Sequence, residues 1–320
     1  MTKSTSTKPK PTSAPTSRPS VVGVTYSVAK TGKTLGMLRA FPGAKFLAPN
    51  EGCVLPASYL GFDPNITVFP PDKGLIDLAQ AIQKVGQRDR VVVVDDLSVF
   101  AFRRFRALKK TGNNWQATDI LKAEILDHVL PAARAVPAHV FFTAHVQPPK
   151  VVGKEDKYIK GCPLLAGWQL PEQFPGLIDL LMRVVHTGND GWPYAYKAGP
   201  DEDYVTGDRL SITPDIAPMN LREVMLQAGY ELPRPEQFKW MEQSVEVISK
   251  MLLIAHKQDE DKAEVLRKTL PKLQQKTENE RHIRWVWADA FDRAVMKLHQ
   301  QTMLERFLSG IESQSLTNEG

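Results

Sequence analysis

From residue 21 onward the chain alternates short apolar runs with helical patterns. "RVVVVDDLSVF" (90–100) and "HVFFTAHV" (139–146) are apolar on both faces, as strands of a covered parallel sheet are. "VVGVTYS", "AKFLAP" and "NITVFPP" predict three more short strands. Helical spacing fills the gaps. "TLGMLRAF" continues from the first strand and is stopped by Pro42 and Gly43. "GLIDLAQAIQKVG" sets Leu75, Ile76, Leu78, Ala79 and Ile82 on one stripe, closed by Gly86. "ATDILKAEILDHVLPAARAV" reads as a helix broken or kinked at Pro131. "GLIDLLMRVVHTG" and "WPYAYKAG" predict a late strand pair. Strands alternating with helices predict an α/β fold, a mostly parallel sheet flanked by helices.

Beyond residue 213 the strand signal stops. "PDIAPMNLREVMLQAGY" predicts a short helix, and residues 235–312 read as helices only. Pro214, Pro218, Pro233 and Pro235 mark a boundary near 215–235. The expected organisation is a disordered basic tail over 1–20, a core over 21–215 and a helical region over 216–320.

Charge changes this picture only at the start. Lys3, Lys8, Lys10 and Arg18 carry four of the 41 bases, with no acid among the first 20 residues. The other 37 bases nearly balance 36 acids, so the body has no electrostatic bias towards nucleic acid. The Ser/Thr/Pro-rich tail lacks the apolar residues that would offset its ordering entropy. No apolar run reaches the ~18 residues that span a bilayer, and no secretory signal is visible. Cys53 and Cys162 are the only cysteines among 320 residues. The expectation is a reduced, cytoplasmic protein without a membrane partner.

Candidate chemistry begins at "TYSVAKTGKT", residues 25–34. A phosphate-binding loop reads G-x-x-x-x-G-K-[ST]. Gly32, Lys33 and Thr34 match it, whereas Ser27 stands where the first glycine would be. Strand before and helix after are the right context, because backbone N–H groups and a helix N-terminus together hold phosphate. Ser27, Lys30, Thr31, Gly32, Lys33, Thr34 and Leu35 are the candidate nucleotide-binding residues. Lys33 would reach the β- and γ-phosphates of ATP, and Thr34 would offer its hydroxyl to Mg²⁺. The buried strand "VVVVDD" ends in Asp95, a second metal ligand at the carboxyl end of its strand. Asp96 suits a cap for the turn that follows.

These motifs, in this order, resemble the RecA-like phosphate-loop ATPases of the AAA domain family. The segments "FTAH", "LP…FPGLIDLLMR" and "GDR" are similar to the phage-encoded Sak-type ATPases of single-strand annealing recombination. The resemblance covers residues 21–215, and it departs at Ser27, at Asp96 and in the helical tail. It implies a DNA-stimulated ATPase in the cytoplasm, that of the host if the chain is phage-encoded. It implies Glu51, in "APNEG", as the base that polarises water, although Glu51 also fits an exposed loop acid. His145 would sense the γ-phosphate, with Thr143 as the neighbouring alternative. It further implies a homo-oligomer in which a neighbour's basic residue completes the site, with Arg209, Lys197 and Arg183 as candidates. A single-strand-binding or replication protein would be a further partner.

"FAFRRFRALKKTGNNW" (100–115) holds Arg103, Arg104, Arg106, Lys109 and Lys110, no acid, and interleaved Phe100, Phe102, Phe105 and Trp115. Cations for the backbone and aromatics for stacking suit single-stranded DNA. The same stretch fits an amphipathic helix that buries Phe102, Phe105 and Leu108. Near the C-terminus, Trp240, Trp285 and Trp287 read as core. Arg281, Arg284, Arg293 and Lys297 alternate there with Asp289, Asp292 and Glu305, so no basic face forms.

Overall fold

The computed structural model describes residues 19–60, 62–70, 72–152, 157–166, 170–187, 194–258, 286–298 and 301. The basic tail up to residue 18, Arg281, Arg284, Trp285, Glu305 and the side chain of Trp240 lie outside the described residues.

The chain opens β1 (Val22–Ser27), α1 (Lys33–Ala40), β2 (Lys45–Ala48), α2 (Val54–Leu60), β3 (Asn65–Val68) and α3 (Leu75–Gly86). Next come β4 (Val91–Val94), α4 (Leu97–Lys109), α5 (Asn114–Ala123), α6 (Leu130–Ala135) and the long β5 (His139–Gln147). A hairpin of β6 (Lys150–Val152) and β7 (Lys157–Ile159) follows, then β8 (Cys162–Pro163) and α7 (Leu170–Gln173). β9 (Leu180–His186), β10 (Tyr194–Lys197), β11 (Gly207–Asp208) and β12 (Ile216–Pro218) complete the sheet. The chain then turns helical, with α8 (Leu221–Gln227), α9 (Lys239–Gln258) and α10 over 286–298.

Among the described residues the main sheet runs β12-β10-β9-β1-β5-β4-β2-β3. From β9 to β3 neighbouring strands are parallel, whereas β10 and β12 add antiparallel edges. This is the expected α/β arrangement, a mostly parallel sheet with helices on both sides. Strand alternation assigns the two cores. Val91 and Val93 face α1, α8, α9 and α10, while Val92 and Val94 face the layer of α3, α4, α5 and α6. On the α1 face the Phe141 ring of β5 lies over β1 at Gly23, where a Cβ would lie 2.6 Å from it.

Three elements depart from the sequence reading. The strand expected over 90–100 stops at Val94, and helix α4 starts at Leu97. The Asp96 carboxylate accepts from the amides of Ser98 (2.7 Å) and Val99 (3.4 Å), an N-cap that starts a helix at once. The helix through Pro131 is not broken. It widens into a π segment over Glu124–Val129 just before α6, because a proline nitrogen donates no bond to the preceding turn. Finally, β12 is a strand within the region read as helical. It pairs with β10 at the sheet edge, where Pro218 loses no ladder bond.

The described C-terminal helices share a core with α1. Met241, Val245, Val286 and Ala290 join Met37 and Leu38 in one apolar cluster. Buried charges reinforce this joint. Arg39 of α1 pairs with Asp289 at 3.0 Å and with Asp292, Arg234 reaches Asp289 at 2.8 Å, and Arg293 reaches Glu223 at 2.6 Å.

Candidate functional site

Parallel pairing brings the candidate residues to one edge of the sheet. Ser27 at the end of β1 lies in register with His145 of β5, and Val94 with Phe142. Asp95 therefore emerges beside Thr143, one strand away from the loop. Ligands of open α/β sheets bind at such carboxyl ends.

The loop between β1 and α1 turns through two left-handed residues, Lys30 (φ 63°) and Gly32 (φ 80°). Glycine adopts that conformation without steric cost, which accounts for Gly32 directly before the helix. Ser27, at the first-glycine position, ties the loop together by hydrogen bonding. Its hydroxyl pairs with that of Thr31, which also donates to Val28 O at 3.1 Å. Lys33 is buried, and its ammonium donates to Val28 O at 2.9 Å and to both oxygens of Ser27 at 3.3 Å. Burial holds its pKa below the usual lysine value, opposed by the nearby charges of Asp96 and Asp95. Leu35 packs against the core behind the loop, and Lys30 is exposed.

Asp95 is gripped by two neutral donors. The Thr143 hydroxyl binds one carboxylate oxygen, and Thr34 binds the other at 2.9 Å. Burial raises the Asp95 pKa, and Thr143, Thr34, Lys33 and His145 pull against it in that order. A buried carboxylate joined to a hydroxyl suits a hard cation that takes its remaining ligands from phosphate and water. Among the described residues no cluster of three or more His, Cys, Asp or Glu forms an all-protein metal cage.

His145 presents its ring at the same edge. Its amide donates to Ser98 Oγ at 2.9 Å, and its Nε2 lies 3.3 Å from Asp96 Oδ2. Burial raises the Asp96 pKa, with the His145 ring as the largest opposing influence. Glu51 sits exposed in the turn after β2, where its carbonyl accepts from Val54 N at 3.0 Å. The sequence reading had Thr143 as an alternative sensor and Asp96 as a cap, and as the next base to test after Glu51. Their contacts with Asp95 and His145 join positions about 50 residues apart and leave no local signal.

Two of the candidate trans-acting bases are neighbours in the sheet, and the third lies apart. Arg183 lies beside Tyr26 and Lys197 in the sheet, and it is engaged by Asp201 at 2.9 Å and by the Tyr204 ring at 3.9 Å. Arg209 sits at the opposite edge, bonded to Gly176 O, just after the "GDR" aspartate Asp208 caps its own turn. A cavity of about 990 Å³ lined by Lys160, Asp201, Thr206 and Ser211 touches none of the loop residues.

The segment 100–115 spans most of helix α4, a turn and the first two residues of α5, with Phe102, Phe105 and Leu108 packed inward. Two of its five cations have hydrogen-bonded partners. Arg103 donates to Pro49 O at 2.9 Å, and Arg104 pairs with the buried Glu124. Arg106, Lys109 and Lys110 are exposed, the Lys109 ammonium lies 5.7 Å from the Phe105 ring centroid, and Trp115 is 68% exposed. Cys53 and Cys162 are buried free thiols. No described helix is long and apolar enough to cross a membrane. No protein-family model matches the chain, and no curated protein matches it.

Proposed function

We propose that this chain is a Mg²⁺-dependent ATPase with a RecA-like core, acting on single-stranded DNA in recombination, annealing or repair. The observation that carries the reading is the convergence of Lys33, Thr34 and Asp95 at the ends of β1 and β4, joined by the Thr34–Asp95 hydrogen bond. Amides of residues 30–34 and the start of α1 bind the triphosphate, with Lys33 as its charge partner. Thr34 and Asp95 hold the metal, which supplies neutralisation of the phosphate charge. Thr143 keeps the Asp95 carboxylate turned towards Thr34.

The DNA arm narrows to Arg106, Lys109, Lys110 and Trp115, because Arg103 and Arg104 serve the fold. That narrowing favours a second reading, an ATP-driven loader or helicase accessory acting through a protein partner. Nucleotide binding with and without Mg²⁺, then hydrolysis with and without single-stranded DNA, tests both. Absence of ATP binding by the folded protein removes the ATPase reading. Binding and hydrolysis that DNA leaves unchanged favour the protein partner. If DNA binds at the three exposed cations, replacing them with Ala lowers the log–log salt slope by about 2, at ~0.7 per phosphate contact.

A further inference from the structure

The ATPase reading leaves open which group takes the proton of the attacking water. We infer that His145 is that base and that Asp96 is the positioning residue that sets its tautomer. The inference rests on the ATPase reading and goes beyond it.

Three observations meet at His145. Its backbone is fixed twice, by the register with Ser27 and by the hydrogen bond that its N–H donates to Ser98 Oγ. Its Cα is therefore the register neighbour of Ser27, the residue that opens the loop that would hold the phosphates. The two oxygens of Asp96 have separate tasks: Oδ1 caps α4, and Oδ2 faces His145 Nε2 at 3.3 Å. Finally, the His145 side chain is 37% exposed, so water reaches it.

The chemistry follows from the partner. Asp96 Oδ2 is the group that faces Nε2, and a carboxylate oxygen accepts hydrogen bonds, so the ring turns its N–H at Nε2 towards Asp96. The lone pair is left on Nδ1. A ring in that tautomer accepts a proton from water and has no Nδ1–H for a phosphate oxygen. This differs from the γ-phosphate sensor expected for His145 from the sequence. The 3.3 Å separation is long for a hydrogen bond, as such contacts are before substrate tightens them. The rival acids are less suited. No described residue holds the exposed Glu51 carboxylate, and both oxygens of Asp95 are taken by threonines.

In the step itself, the water oxygen bonds to the γ-phosphorus as the bond to the β–γ bridging oxygen breaks. The leaving electron pair stays on that oxygen, now part of ADP. The water proton passes to His145 Nδ1, and Asp96 stabilises the imidazolium. The exposed ring then returns the proton to solvent. ATP and water become ADP, phosphate and a proton.

The test is single-turnover hydrolysis alongside ATP binding for full-length His145→Ala, Asp96→Asn, the double variant and Glu51→Gln. Asn caps a helix as well as Asp, so Asp96→Asn keeps α4. Its amide, however, donates to Nε2 and moves the ring proton to Nδ1. Each of the two single changes should slow hydrolysis by about 10²–10⁴-fold while ATP affinity stays near wild type. The double variant should be no slower than the slower single one. Added imidazole should partly restore His145→Ala and leave Asp96→Asn slow. A wild-type rate in His145→Ala, or losses that multiply in the double variant, would overturn the inference. So would a larger loss in Glu51→Gln than in His145→Ala, and in each of these cases intact ATP binding keeps the ATPase reading. If the wild-type protein binds no ATP, both fall together.

Discussion

Helix α1 carries a buried or nearly buried cation at each end, and the two ends treat their charge in opposite ways. At the N-terminal end Lys33 donates to Val28 O and to Ser27, all neutral oxygens, while Asp95 accepts from two threonine hydroxyls. The opposite charges lie close but are not bonded to one another. Burial prevails there, lowering the Lys33 pKa and raising that of Asp95. At the C-terminal end Arg39 meets Asp289 and Asp292 directly, and Asp289 also accepts from Arg234 and Asn220. There the carboxylates prevail over burial and hold Arg39 firmly protonated. A buried charge bonded to its opposite fixes one packing arrangement, and removing either partner is costly. A buried charge on neutral partners keeps its field for a ligand, at some cost in stability. The joint with α9 and α10 is of the first kind, and the loop edge of the second.

The largest effect that would break this comparison is at Lys33. Lys33→Ala should remove at least two charge-assisted hydrogen bonds to phosphate. At about 1.5–3 kcal/mol each, ATP affinity falls by about 10²-fold or more, read by nucleotide titration. Circular dichroism should show an intact fold, since no carboxylate is left stranded.

Arg39→Ala should do the reverse. It strands Asp289 and Asp292, and urea unfolding should report a loss of about 3–5 kcal/mol. A loss below ~1 kcal/mol would mean that the joint is electrically idle.

A smaller change sharpens the contrast. Asp95→Asn removes a charge that its partners do not fully compensate, so the unfolding free energy should rise by about 0.5–2 kcal/mol while Mg²⁺-dependent ATP binding disappears. Destabilisation on the scale of Arg39→Ala would erase the distinction between the two ends.

The smallest effect concerns pH, because the joint has one weak member. Burial pushes the Asp292 carboxyl up to about 7. Arg39 and the Asn220 hydrogen bond pull it down, whereas Asp289 and Glu223 push it further up. The folded chain thus holds this proton more tightly than the unfolded chain, whose carboxyl has the ordinary value of 3.8. The stabilisation is complete below the unfolded value and disappears as pH rises through about 7. Wild type should therefore gain stability over Asp292→Asn as pH falls from 7.5 to 5, by no more than ~1.4 kcal/mol per pH unit. A pH-independent difference in urea midpoints would remove Asp292 as the titrating group.

The sequence by itself determined what depends on neighbours along the chain. Short continuous apolar runs gave away the buried strands, and 3.6-residue periods gave away the helices. Gly32, Lys33 and Thr34 were legible as a loop because backbone conformation, charge and hydroxyl lie within three consecutive positions. Asp95 was legible because a buried strand delivers its last residue to the sheet edge. Tertiary structure alone decided which charges are engaged. Arg103 looked available for DNA until Pro49, 54 positions away, took it up, and Arg104 until Glu124 did. Arg39 had no visible role, because Asp289 lies 250 positions on. Thr143 reached Asp95 across 48 positions only when β4 and β5 paired. A side chain's charge can be read from its own codon's product, but its partner is set by strand register and helix packing, which a linear pattern does not encode.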